Sequence, residues 1–447
     1  MDRSSLRDEA LLRDLRAHLR ALPSSAADDP ALVQRLARAR LALLGEASHG
    51  THEFYDERAA LSRKLVTEHG FRAVVVEADW PDAWRVNRYV RGVSGDPDAG
   101  SALSGFERFP TWMWRNTVVR DFVEWLREHN RALPASRQVG FYGMDLYSLF
   151  ASRKAVLDYL DRIDPEAARR ARSRYACFDH FGEDSQAYGH AASFGLKPSC
   201  EDEVIQQLRE MNRRAAELLA ASREDRADAF HAQQNARLVR NAEEYYRTMF
   251  HGRVSSWNLR DNHMVETLQA LEKHLATGGG STKMIVWAHN SHLGDASATE
   301  MGDRGEWNVG QLVRDRWAGD AVLVGFSTHH GTVTAASEWD GVGERKRVRP
   351  GLEGSYEDLF HRVDVERFWL PLDQPALARL LSQRRLQRAI GVIYQPRTER
   401  MSHYFHTRLP AQFDAMIHID ETRALQPLVA EPAWHAGEPA ETWPSGL

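Results

Sequence analysis

What most constrains this chain is a β-loop-α-β unit that occurs twice. In the first unit an apolar run over 40–45 ends abruptly in Glu46, Ser48, His49 and Gly50. A helix then fits 53–69, Gly70 stops it, and a second strand runs Ala73-Val-Val-Val-Glu77. In the second unit the strand 283–288 ends in His289, Asn290, Ser291, His292 and Gly294. A helix over 307–317 and the strand Ala321-Val-Leu-Val-Gly-Phe326 complete it. A strand that returns through a helix to a parallel strand makes a right-handed crossover, which commits the chain to an α/β sheet. In such sheets ligands bind at the carboxyl ends of the strands. Both units place imidazole groups there.

Further strands are expected at Gln138-Val-Gly-Phe-Tyr142 and Ala389-Ile-Gly-Val-Ile-Tyr394, and amphipathic helices at 6–21 and 117–129. Between the two units, 201–250 and 256–276 have helical apolar spacing (Val204, Leu208, Met211 and Ala215; Phe230, Leu238, Tyr245 and Met249). The expected fold is therefore α/β: a central, mostly parallel sheet from two divergent β-loop-α-β halves, flanked by helices, with an inserted helical subdomain. The expected boundaries are 1–200 for the first half, 201–276 for the helical insertion or cap, and 277–447 for the second half, all forming one catalytic unit. Gly278, Gly279 and Gly280 read as a hinge. The stretch 331–354, rich in Gly, Arg and Glu, reads as a surface loop, and the Pro-containing tail 426–447 as surface.

Composition narrows the function. A chain of 447 residues, 43% of them hydrophobic, can bury a large core. Its net charge of −5, with Lys and Arg spread along the chain, gives no basic stripe for nucleic acid. No apolar run reaches the ~18 residues that span a membrane, and the first residues lack a signal-peptide core. Cys177 and Cys200 have no C-x-x-C spacing, which argues against a disulfide framework or a Cys-type zinc site and for a reducing, cytoplasmic setting.

The strand ends supply ionisable groups. Glu46 and His49 are three apart, as are His289 and His292; Glu77 and Asp145 end two other strands. A carboxylate beside a His fixes one tautomer and raises its basicity. Three chemistries compete for this set. A serine hydrolase would place Ser48 on a nucleophile elbow, but Glu46 stands where that turn requires Gly. A metallohydrolase would recruit His49, His289, His292 and a carboxylate such as Glu77, with Zn, Mn or Fe. His52-Glu53 lacks the second His of a His-Glu-x-x-His helix, so it reads as the helix's opening turn. The third chemistry needs no metal: a His base activates water, and a second His or an Arg stabilises the oxyanion. Trp80, Trp84, Trp112, Trp114, Tyr142 and Tyr147 are the aromatic wall expected nearby. His403 and Tyr404 lie within reach past a strand end, whereas His180, His190, His231, His329 and His330 read as surface or loop residues.

Several longer motifs run in order over about 40–405. They are Gly45-Glu-Ala-Ser-His-Gly-Thr51, Glu53-Phe-Tyr through Arg58, Val76-Glu77-Ala-Asp-Trp80 and Gly143-Met-Asp145, followed by Arg260-Asp-Asn262-His-Met264, Trp287-Ala-His-Asn-Ser-His292 and Tyr394-Gln-Pro-Arg-Thr-Glu399 through Phe405. In these motifs the chain resembles the erythromycin esterase family, which contains macrolide-inactivating esterases linked to antibiotic resistance and members labelled as succinoglycan biosynthesis proteins. The resemblance implies hydrolysis of a macrolactone or other carboxylic ester, with a macrolide or polyketide as the small-molecule partner. It implies His49 as the general base, oriented by Glu46 or Glu77, and His292, with Arg58 or His289, at the oxyanion. Arg58 has the alternative role of holding the two glutamates. The family's esterases are described as needing no metal, so no cofactor is required, while metal-binding relatives keep a divalent ion possible. Two further readings stand beside this: a metal-dependent hydrolase of another ester or amide, and a non-catalytic natural-product-binding or biosynthetic protein.

Overall fold

The computed structural model describes residues 3–181, 183–217, 223–276, 282–430 and 432–436. The glycine hinge at 278–280 and the end of the tail, 437–447, lie outside the described residues. In chain order the strands are β1 (Arg20–Ala21), β2 (Leu41–Leu44), β3 (Phe71–Asp79), β4 (Gly140–Asp145), β5 (Lys283–Trp287) and β6 (Ala321–Ser327). They continue with β7 (His330–Ala335), β8 (Glu344–Val348), β9 (Arg367–Pro371), β10 (Arg385–Arg388), β11 (Tyr404–Thr407), β12 (Ala415–Ile419) and β13 (Glu421–Thr422).

Among the described residues, eight strands form one sheet in the order β1-β9-β12-β6-β2-β5-β3-β4. It is parallel from β12 to β4, and β9 and β1 add an antiparallel edge. The central strands are continuously apolar through Leu41–Leu44, 73–76 and 284–287 because both faces are covered there. Leu41 and Leu43, Ala73 and Val75, and Met284 and Val286 pack into one hydrophobic cluster. Their alternating neighbours Ala42 and Leu44, Val74 and Val76, and Ile285 and Trp287 pack into the other.

The two β-loop-α-β units are interleaved. The first passes from β2 to β3 through the helix His52–His69, and β5 lies between those strands. The second passes from β5 to β6 through Val309–Trp317, and β2 lies between them. The two His-bearing strand ends are therefore adjacent. Gly70 ends the first crossover helix with φ at 72°, the left-handed cap that glycine adopts without penalty.

One hydrophobic cluster continues into a layer of helices, including Leu149–Ile163, Pro165–Tyr175, Glu201–Glu217, Arg223–Thr248 and Arg253–Leu275. No helix among the described residues is long and apolar enough to cross a membrane. Cys177 and Cys200 form a disulfide within this layer, their Cα atoms 5.8 Å apart, which corrects the reading against disulfide pairing. Helix packing, invisible in the spacing of two lone cysteines, brings them together; such pairs persist in oxidising compartments.

Two local expectations are also corrected. The stretch 331–354 holds an antiparallel hairpin of β7 and β8, with β13 parallel on the other edge of β7. Its charges mask the strand signal, because β8 exposes Arg345 and Arg347 while burying Lys346, whose Nζ donates to Ser337 Oγ at 2.7 Å. Residues 389–394 form isolated bridges in place of a strand. Ile390 pairs with Ser48 and Ile393 with Ala336, which fastens this segment across the first strand-end loop.

Candidate active site

The loop after β2 and the loop after β5 are bonded to each other. The Asn290 N–H donates to the Glu46 carbonyl at 2.8 Å. The Asn290 side chain occupies the space where a Cβ at Gly45 would project, and its Nδ2 donates to the Phe326 carbonyl at 2.7 Å. Gly50 is required by close approach, because a Cβ there would strike the backbone of Thr334 in β7. From β3, Glu77 Oε2 accepts the His289 N–H at 2.8 Å. Three strand ends thus form one rigid floor.

His49 Nδ1 lies 2.9 Å from Glu46 Oε1. A carboxylate only accepts, so Nδ1 carries the proton and Nε2 is left as a base. Arg58 Nη2 donates to Glu46 Oε2 at 2.6 Å. Glu46 and Arg58 are both fully buried, and Arg58 lies over the rings of Tyr55 and Trp287, away from the cleft. Among the described residues the Arg58 guanidinium reaches Glu46 and makes no hydrogen bond to Glu77. Arg58→Ala would strand a buried carboxylate. It is expected to lower unfolding free energy by about 3–5 kcal/mol, read by denaturant titration.

His289 receives the Ser291 N–H at Nδ1 (3.2 Å), with Ser291 Oγ at 2.8 Å. Its proton therefore sits on Nε2, a buried atom that has no protein partner. Burial, reinforced by the nearby His49, pushes its pKa down to about 3, so the ring stays neutral. The rings of His49 and His289 lie 4.8 Å apart, and both line the cleft. The two imidazoles thus stand side by side in the cleft wall, the His289 N–H buried beside the Ala47 carbonyl.

His292 is held differently. Its Nδ1 lies 2.9 Å from Asp261 Oδ1, and its Nε2 lies 3.3 Å from Glu77 Oε1 and 3.0 Å from Arg260 Nη1. Its ring stacks on Trp257 with centroids 4.5 Å apart. Burial opposes the charged ring, but Asp261 and Glu77 outweigh it and push the pKa up to about 9. Burial would likewise raise Glu77, yet His292, His49 and Arg260 hold it well below the carboxylate range. Arg260 completes the network, donating from Nε to Asp145 Oδ1 at 2.9 Å and from Nη2 to Asp145 Oδ2 at 2.7 Å and Glu77 Oε1 at 2.8 Å.

The raised pKa of His292 fixes a pH dependence. The stability it contributes is fully present below its ordinary value of 6.5 and is lost as pH rises through about 9. Melting temperature should fall over that window in the wild-type chain, and His292→Asn should lack this component.

The structure brings Glu46, His49, Glu77, His289 and His292 together and places Arg58 behind Glu46. Ser48 Oγ bonds Thr51 Oγ1, and His49 Nδ1 is committed to Glu46, so no nucleophile–base pair forms. Of the expected aromatic wall, Trp114 and Tyr147 line the cleft. Trp80, Trp84 and Tyr142 stack on one another in the hydrophobic cluster beneath the helical layer, and Trp112 packs on Phe109. His403 and Tyr404 do line the cleft. His231 stacks on Trp84 and accepts from Trp80, and His329 and His330 are partnered, so these three are not loose surface groups.

Sequence reasoning did not assign Trp257, Arg260 and Asp261. They stand at i, i+3 and i+4, one face of the helix Arg253–Leu275, and all three serve His292. That spacing was available, but charges on a helix ordinarily read as a solvated face. The cleft holds about 480 Å³. Phe106, Phe109, Met113 and Trp114 form an apolar wall, and Trp339, from the β7–β8 turn, also lines it.

Sheet, strand-end floor and cleft define an α/β protein with a His-and-carboxylate pocket that has one apolar wall. The family model of erythromycin esterase matches residues 66–422, and the chain belongs to that family. Membership points to a hydrolase acting on esters. An Escherichia coli protein named erythromycin esterase type II is 28% identical over 132 residues, 29% of this chain. That match spans 29% of the relative's own length. Among solved structures, a succinoglycan biosynthesis protein superposes with a TM-score of 0.74 at 21% identity, covering 95% of this chain and 100% of its own. A variant of an erythromycin esterase in its open conformation gives 0.62 at 17% identity, covering 89% and 95%. At these identities the likeness establishes the fold.

Proposed function

We propose that this chain hydrolyses a carboxylic ester, with a macrolactone as the substrate class, by general-base activation of water. His49 Nε2 takes a proton from water as the oxygen attacks the ester carbonyl, and Glu46, steadied by Arg58, holds the imidazole in the required tautomer. The neutral His289 donates its Nε2–H to the developing oxyanion. His292, Arg260, Asp145 and Glu77 form the charged support beneath, and Glu77 fixes His289 through its backbone N–H. The imidazolium of His49 then returns its proton to the leaving alkoxide.

The observation that carries this reading is the pairing across the cleft. A His base with its other nitrogen bonded to a buried carboxylate lies beside a neutral His whose buried N–H makes no well-formed hydrogen bond and has only the Ala47 carbonyl near it. The donor set also favours chemistry without a metal, because the His292 nitrogens meet Asp261, Glu77 and the guanidinium of Arg260. That cation occupies the place where a metal would approach Nε2.

The test is incubation of the purified chain with a panel of macrolactones and simple aryl and alkyl esters in heavy-oxygen water. One heavy oxygen in the carboxylate product, with the alcohol unlabelled, is expected. Failure to open any ester would sink the reading, and hydrolysis of the simple esters alone would remove the macrolactone assignment.

A further inference from the structure

A second His cluster lies outside the cleft. β6 and β12 are parallel neighbours, with His418 paired to Ser327, and both turn sharply at their carboxyl ends. The first turn carries His329 and His330, the second carries Asp420, and His361 ends the helix Tyr356–His361 beside them. The Asp420 carbonyl accepts the N–H groups of both His329 and His330, each at 3.1 Å. One donor atom from each of the four side chains lies within 4.8 Å of the others.

From this geometry we propose that His329, His330, His361 and Asp420 bind a divalent transition-metal ion of the zinc class. The two Nδ1 atoms of His329 and His330 face each other at 3.1 Å. As a hydrogen bond this contact takes one proton, and a metal ion bound by both nitrogens would take that proton's place. That spacing is close to the roughly 3.3 Å edge of a tetrahedron with metal–nitrogen bonds of about 2.0–2.1 Å. Asp420 takes His361 Nδ1 at 2.9 Å on Oδ1, and the rings of His329 and His361 stack 3.8 Å apart. Three imidazoles and one carboxylate select zinc-class ions over calcium or magnesium.

A supporting layer is also present. His418 Nε2 lies 3.3 Å from Asp420 Oδ1 and its Nδ1 is 2.9 Å from Ser327 Oγ, which orients the carboxylate. The neighbouring cation, Arg388, donates to the carbonyls of Thr328 and His329 and to Glu399, so its charge is matched away from the ring nitrogens.

Four protein ligands make a closed, structural site. It would lock the turn from which β7 starts, and with it the hairpin that places Trp339 in the cleft wall.

The test uses the full chain, stripped with a chelator and titrated with zinc alone, with bound metal counted by mass spectrometry and affinity read by calorimetry. Wild type and the double variant His49→Asn/His289→Asn are each expected to bind one zinc per chain. His361→Ala and His330→Gln are expected to lose affinity by at least about 100-fold while keeping the wild-type circular dichroism. His361 is half exposed at a helix end, so its replacement leaves the core intact. Absence of zinc binding by wild type overturns the site, as does zinc that persists in both ligand variants or disappears in the cleft double variant.

Discussion

His49→Asn should abolish most ester hydrolysis, lowering kcat by about 10²–10⁴-fold. The asparagine amide can still donate to Glu46, so the buried carboxylate keeps a partner and the Arg58–Glu46 pair remains. What disappears is the nitrogen that accepts a proton from water. Steady-state kinetics on the ester identified by the substrate panel gives the value, and an unchanged melting temperature separates lost chemistry from lost fold. A variant that keeps near-full kcat would remove His49 from the reaction.

His289→Phe is the complementary case. The ring is neutral and fixed by Ser291, and in the proposed reaction its Nε2–H is the preorganised donor at the point where charge develops. Removing one such donor typically lowers kcat by about 10²–10³-fold. KM should change little, because the bond strengthens in the transition state and contributes little to the ground state. His289→Gln, which retains an N–H, should recover part of the rate. If KM carries the loss and kcat is preserved, His289 binds substrate and the oxyanion role fails. The two variants probe opposite sides of one reacting carbonyl, so their combined loss should fall short of the product of the single losses.

How much of this was legible in the sequence follows from what each signal encodes. The central strands were readable because burial on both faces removes polar residues, and Gly70 was readable as a stop because glycine is the common residue just past a helix end. Glu46, His49, Glu77, His289 and His292 stood out because ionisable groups ended apolar runs. Their mutual arrangement was not readable: the order that puts β5 between β2 and β3 depends on packing between distant segments. The roles around His292 depend on Arg260 and Asp261, which stood in a family-like motif but carried no readable role, because a charged pair on a helix does not say which side chain it will meet. The β7–β8 hairpin was hidden by its arginines, and the bond between Cys177 and Cys200 by the helices that bring them together. His329 and His330 looked isolated because their partners, His361 and Asp420, lie on other elements.

The interleaved sheet also bears on synthesis of the chain. β2 pairs only with β5 and β6, both encoded far downstream. While the chain emerges from the ribosome, Leu41–Leu44 waits with both edges open, an apolar ribbon ready to pair with any strand it meets. Folding from the amino terminus therefore cannot finish in order. The pocket that holds His49 forms only when its second wall arrives, so the nascent protein is exposed to aggregation until then.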